Sequence, residues 1–179
     1  GSDAEQLRPL VADAVSSADL SDAKFAQFID WVRGENVWNE GTRWKLGDPY
    51  HVGLVAVGAP RSLLTDADYK TFKASHSTRT PIVYMHANDG MLHALNSGTG
   101  FEEWAFIPPN VLDFRRLLGT KINTSNVWVT NDVISTPRYL LDGPLIAEDV
   151  LIGGSYKTVL VGCLGRAGAG LYALDVTDP

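Results

Sequence analysis

The chain has 179 residues, 45% hydrophobic and 20% charged, a balance that excludes a disordered segment. A formal net charge of -6 argues against binding phosphate backbones, which needs clustered Lys and Arg, so nucleic acid is set aside as a partner. No apolar run approaches the roughly 18 residues of a membrane helix, and the lone Cys163 excludes an internal disulfide and a multi-cysteine zinc site.

Gly1-Ser2 reads as a cloning scar, so the lack of a leader carries no information. Ala4 to Ser16 is alanine-rich with Leu7, Leu10, Val11 and Val15 at helical spacing, limited by Pro9. Ser21 or Asp22 caps a second helix whose Phe25, Phe28, Ile29 and Val32 share one face, and Gly34 stops it. Residues 36–49 form a loop, Val52 to Val57 a strand, and Asp66 to Phe72 a short helix or an aromatic loop. Beyond Pro81 the pattern turns to strands: Ile82 to His86, Met91 to Leu95 and Glu103 to Ile107, with turns at Asn88-Asp89-Gly90 and Ser97 to Gly100. Pro108 and Pro109 open a helix reaching Leu118. Asn126 to Val133 and Arg138 to Leu141 read as strands before a turn at Asp142-Gly143-Pro144.

The last segment repeats the first hairpin. Val159 to Leu164 matches Ile82 to Ala87 in character, a glycine-rich loop from Gly165 through Gly168 to Gly170 replaces Asn88-Asp89-Gly90, and Leu171 to Asp175 matches Leu92 to Asn96. Asp-Gly between apolar runs is a strong hairpin signal, because glycine tolerates the positive φ of tight turns. Ala94 and Ala173 lie 79 residues apart. A propeller blade takes about 40–50 residues, so the unit skips a blade or carries a long insertion. The rhythm favours a β-propeller over a sandwich.

Candidate chemistry is sparse. His86, Asp89 and His93 surround one turn and suggest metal ligands; the plainer reading gives Asp89 to the turn and the histidines to strand faces, and it is preferred. Asp66 and Asp68 begin a calcium-loop spacing that Lys70 interrupts. Gly162 to Gly170 has neither the Gly-Lys-Ser/Thr ending nor the following helix of a phosphate loop. Gly153-Gly154-Ser155 lacks the frame of a nucleophile elbow, and Cys163 reads as an inert core thiol. Glu102-Glu103 reads as a solvated strand edge, and Trp104 and Trp128 as packing residues. No catalytic, cofactor-binding or metal residue is assigned; Asn88, Asp89, Gly90, His93, Gly165, Gly168 and Asp175 are structural motif positions.

Several strings resemble the PilC/PilY family of type IV pilus biogenesis proteins: Leu46-Gly47-Asp48, Val57-Gly58-Ala59-Pro60, Asn88 to Ala94, Phe106-Ile107-Pro108, Tyr156 to Gly162 and Tyr172 to Pro179. The resemblance, with the helix ending at Trp31 to Gly34, covers about Phe25 to Pro179. It implies a mainly β chain with N-terminal and inserted helices, a partial quinoprotein-like β-propeller holding about half of the ring. Residues 1–35 would be a helical lead-in, and 36–179 an incomplete propeller finished by further sequence or a second polypeptide. The resemblance further implies a non-enzymatic role in pilus assembly, retraction control and tip adhesion. Its partners would be minor pilins and a host surface receptor, and its place the exported cell surface or pilus tip, in association with the outer membrane. Calcium would belong to an acidic loop downstream, so no cofactor is identified in this chain. Tyr156 departs from the family's usual tryptophan, and Pro49 to Gly53 keeps only the histidine of the family's usual stretch. The alternative is a quinone-cofactor dehydrogenase with the same blade unit, which the single cysteine disfavours.

Overall fold

The computed structural model describes residues 22–35, 46–111, 120–122, 128–130 and 139–178. The chain divides into two compact units, Gly1–Gly47 with Pro109–Arg138, and Asp48–Pro108 with Tyr139–Pro179.

In the first unit, α1 (Asp22–Val32) begins on an acidic residue, which suits the positive end of the helix dipole. It ends as its sequence predicts: Gly34 takes φ 89, and the Glu35 amide donates back to the Asp30 carbonyl at 2.9 Å, the closing bond of a Schellman motif. Phe25 is buried. A two-stranded antiparallel ribbon pairs β5 (Thr120–Ile122) with β6 (Trp128–Thr130). The helix expected from Pro109 is a single 3-10 turn, Pro109–Val111, within the described residues. Of the strand expected over residues 126–133, only β6 falls among them. The helix expected over residues 4–16 lies outside the described residues, as does most of the loop expected over 36–49.

The second unit holds two antiparallel sheets. The first orders β1 (Val55–Val57), β2 (Ile82–His86), β3 (Leu92–Asn96) and β4 (Glu102–Phe106) as a four-stranded meander. β1 is shorter than the strand expected from Val52. Between β1 and β2 lies α2 (Ala67–Ser75), where Asp66 accepts the Tyr69 amide at 2.8 Å as N-cap. The second sheet orders β7 (Leu145–Ile152), β8 (Ser155–Cys163) and β9 (Leu171–Asp175). The sequence does not announce β7, and Tyr139–Leu141, expected as strand, is irregular. The β7–β8 connection is a two-residue hairpin: Ile152 faces Ser155 across Gly153 and Gly154, both at positive φ.

Alternation places one face of each sheet against the other. Val57, Ile82, Tyr84, Leu92 and Ala94 of the first sheet meet Leu145, Leu160 and the residue after β9, Val176, with Trp104, Phe106, Tyr172 and Leu174 packed around them. Burying an aliphatic side chain such as Ile82, Leu92 or Leu160 contributes about 1.5–3 kcal/mol. The unit therefore consists of two propeller-type blades stacked face to face, a mainly β partial propeller whose sheets do not close into a ring among the described residues.

The two sheets share one register. Tyr84 pairs with Ala94 and His86 with Leu92; in the second sheet Val161 pairs with Ala173 and Cys163 with Leu171. The sequence repeat is thus a structural repeat. The first sheet's repeat residues are covered, with Leu92 and Ala94 at 0% exposure, whereas Leu171 is 64% exposed and Ile146 56%. Cys163 accordingly sits half-buried on that outward face rather than in the core.

Candidate functional site

The motif residues other than Asp175 gather at the hairpin end of the two stacked sheets. Asn88-Asp89-Gly90 is a three-residue connection: the Gly90 amide bonds the Ala87 carbonyl, the Ala87 amide bonds the Met91 carbonyl, and Gly90 takes φ 89. Asn88 then reaches outward. Its side chain donates to Asp48 Oδ2 at 3.0 Å and accepts the Leu140 amide at 3.3 Å, while its backbone amide bonds the Asp48 carbonyl. The glycine-rich loop between β8 and β9 contains a 3-10 turn, Gly165–Ala167, with Gly168 closing it. There the Arg166 amide donates to the buried Asp142 at 2.6 Å, and the Arg166 guanidinium lies 4.7 Å from the centre of the Tyr139 ring.

His86, two positions before the turn, and His93, three positions after it, point to opposite faces of the first sheet. They do not converge with Asp89 on a metal, and among the described residues no group of three His, Cys, Asp or Glu side chains is placed to hold one. His86 is fully buried between the sheets, 2.9 Å from the Gly143 carbonyl through Nδ1 and 2.6 Å from the Tyr172 hydroxyl through Nε2. Gly162, opposite Tyr172 in the register, leaves the space that the tyrosine ring fills on its way to His86. Burial lowers the His86 pKa below its ordinary value, against the opposing effects of the Gly143 carbonyl and Asp142. A neutral ring that donates through Nδ1 and accepts through Nε2 satisfies both partners.

That depression has a sign. The unfolded chain binds a proton at about pH 6.5 that folded His86 refuses, so its contribution is present above that pH and lost as pH falls. Titration at His86 is expected to pull the urea midpoint of the chain down as pH falls below about 6.5, whatever other groups contribute. In His86→Gln, which keeps a donor and an acceptor but cannot titrate, the drop should be shallower. Parallel pH profiles for the two chains would contradict this account.

His93 behaves in the opposite way. It is 2% exposed, with Nε2 3.0 Å from Asp89 Oδ2 and Nδ1 2.5 Å from Glu102 Oε2. Burial pushes its pKa down, but the hydrogen bonds and charges of Asp89 and Glu102 outweigh that and hold it above the ordinary histidine value. Glu102 is therefore more than a solvated strand edge. Asp175 lies apart from this end, where Lys157 at 2.6 Å and the Thr177 hydroxyl hold its carboxyl down at about 2.

Sequence reasoning missed the cluster at the opposite end. Arg79 donates to the Gly58 carbonyl through Nε at 2.8 Å and again through Nη2, and its Nη1 reaches Thr158 Oγ1 at 2.8 Å and the Thr177 carbonyl at 3.0 Å. Asp149 accepts the Tyr69 hydroxyl and the Thr158 hydroxyl, each at 2.7 Å. Gly58, Arg79, Asp149 and Thr158 border a cleft of about 520 Å³ between the sheets. Tyr156, the departure from tryptophan, packs its ring 5.0 Å from that of Tyr69 and donates to Asp66.

A family model described as the PilY1 beta-propeller domain matches residues 46–179. The chain belongs to the PilY1 β-propeller family. Its relatives include the type IV pilus biogenesis factor PilY1 of Pseudomonas aeruginosa strain UCBPP-PA14, 37% identical over 89% of this chain and 14% of that protein. A PilY1 homolog of Xylella fastidiosa is 37% identical over 86% of this chain and 13% of its own length. The chain thus spans about a seventh of the PilY1 relatives it matches. The crystal structure of the Pseudomonas aeruginosa PilY1 C-terminal domain shares 36% identity at a TM-score of 0.49, over 69% of this chain and 23% of that one. Among the described residues, no helix is long and apolar enough to cross a membrane.

Proposed function

We propose that the chain is a binding segment of a type IV pilus biogenesis factor, a non-enzymatic propeller portion that serves pilus assembly, retraction control and adhesion. The observation that carries this reading is the family match over residues 46–179, joined to relatives that are named for type IV pilus biogenesis. The buried polar groups His86, His93 and Asp142 are bonded to partners within the fold, in keeping with a structural part for them. The partners of this reading are minor pilins, further blades or a second polypeptide, and a host surface receptor, met at the exported pilus tip or outer-membrane surface. Residues 1–35 serve as a helical lead-in to the propeller portion. No cofactor is assigned to the chain.

The test is removal of the codons for residues 46–179 from the chromosomal gene, with surface pili counted by electron microscopy and attached cells counted on a host monolayer. Loss of either is the expected result. Unchanged piliation together with unchanged attachment overturns the reading.

A further inference from the structure

The His93 site stands outside the function just proposed, and its geometry poses a proton-counting problem. A neutral imidazole has one N–H and one bare nitrogen. Both nitrogens of His93 face carboxylate oxygens, Asp89 Oδ2 at 3.0 Å and Glu102 Oε2 at 2.5 Å. A bare nitrogen against an ionised oxygen would place two lone pairs together, so the arrangement requires protons on both nitrogens. The ring is almost fully buried, where such repulsion is least screened. Asp89 comes from the turn and Glu102 from β4, while β2 and β4 set uncharged Met85 and Ala105 opposite His93 in the register. The other nearby carboxylate of β4, Glu103, is bound to Asn96 at 2.8 Å.

We propose that Asp89, His93 and Glu102 form a proton-held clamp: an imidazolium ties the β2–β3 turn to the edge strand β4, and loss of its proton releases one of the two carboxylates. Asp89 also accepts the Met91 amide at 3.0 Å, so release at the ring slackens the turn that presents Asn88 to Asp48 and Leu140. The clamp opens as pH rises through the elevated titration point of His93. This is opposite in sign to His86.

The test uses the intact chain. In nitrogen-15 spectra of the histidine rings followed through pH, His93 is expected to keep protons on both nitrogens above about pH 6.5, where an ordinary imidazole is half deprotonated. Raising the pH until the ring titrates should speed amide exchange at Asn88–Met91 and Glu102 about tenfold beyond intrinsic base catalysis, the factor for losing one hydrogen bond to a charged group. His93→Gln removes that excess, and Glu102→Gln moves its onset to lower pH. A His93 ring that loses its proton at or below the ordinary imidazole value, or an excess that survives in His93→Gln, overturns the proposal. Should His93→Gln fail to fold, an unmoved onset in Glu102→Gln overturns it equally.

Discussion

Gly143→Ala is expected to cost more than about 4 kcal/mol of folding stability, the range reached when a substitution collides with fixed backbone. A Cβ at Gly143 would overlap the Cys163 carbonyl oxygen, and lie 2.6 Å from the Gly165 amide nitrogen and 2.7 Å from the Cys163 carbonyl carbon. All three are backbone atoms of the β8–β9 connection, so no rotamer change relieves the clash. Movement would also draw the Gly143 carbonyl away from His86 and strain the Asp142 contact to Arg166, whose loop neighbour Gly165 stands at φ 62 against Asp142. Equilibrium urea unfolding followed by tryptophan fluorescence reads the effect. Gly98→Ala is the control, since its Cβ would meet only the Asn96 side-chain oxygen at 3.4 Å; a change within about 0.5 kcal/mol is expected there. A Gly143→Ala chain with a native midpoint would show that this end of the fold is not held as described.

Arg79→Met should destabilise by about 3 kcal/mol, on the scale of losing hydrogen bonds to a charged group and leaving their acceptors short of partners. The guanidinium bonds Gly58 in the chain leaving β1, Thr158 on β8 and Thr177 beyond β9, and so ties the first sheet to the second. Methionine retains much of the apolar stem but none of the donors. Arg79→Lys tests the fork itself: one ammonium cannot span the same acceptors, and it should recover less than half of the loss. Full recovery in Arg79→Lys would reduce the role of Arg79 to charge alone.

Short-range signals made much of this fold legible. The Asp89-Gly90 pair between apolar runs located the first hairpin, and the matching strings around Ala94 and Ala173 located a second sheet that carries the same register. Gly34 marked the end of α1 correctly. β7 escaped because Glu148-Asp149 interrupts its apolar run, and Asp149 turns inward to partners that lie 80 residues earlier and 9 later. The Gly153-Gly154 turn beside it is plain in the sequence, but the residues before it lack the unbroken apolar run that marks a hairpin strand. Arg79 had no local signature at all: its acceptors lie 21, 79 and 98 residues away. The histidines at 86 and 93 were rightly placed on strand faces. The opposite directions of their pKa shifts follow from burial and from contacts with Gly143 and Glu102 that only the packed sheets create.

Because both sheets repeat one register, each could in principle receive the other's neighbour, and shape alone would not prevent a shuffled order. His86 and Cys163 hold equivalent positions and make unequal demands. The imidazole accepts only a neighbour that brings both a hydroxyl and a carbonyl to it, as Tyr172 and Gly143 do; any other sheet would strand two buried ring nitrogens. The thiol imposes no such condition. The first sheet is therefore keyed to a particular successor, and blade order is written into one hydrogen-bonding side chain.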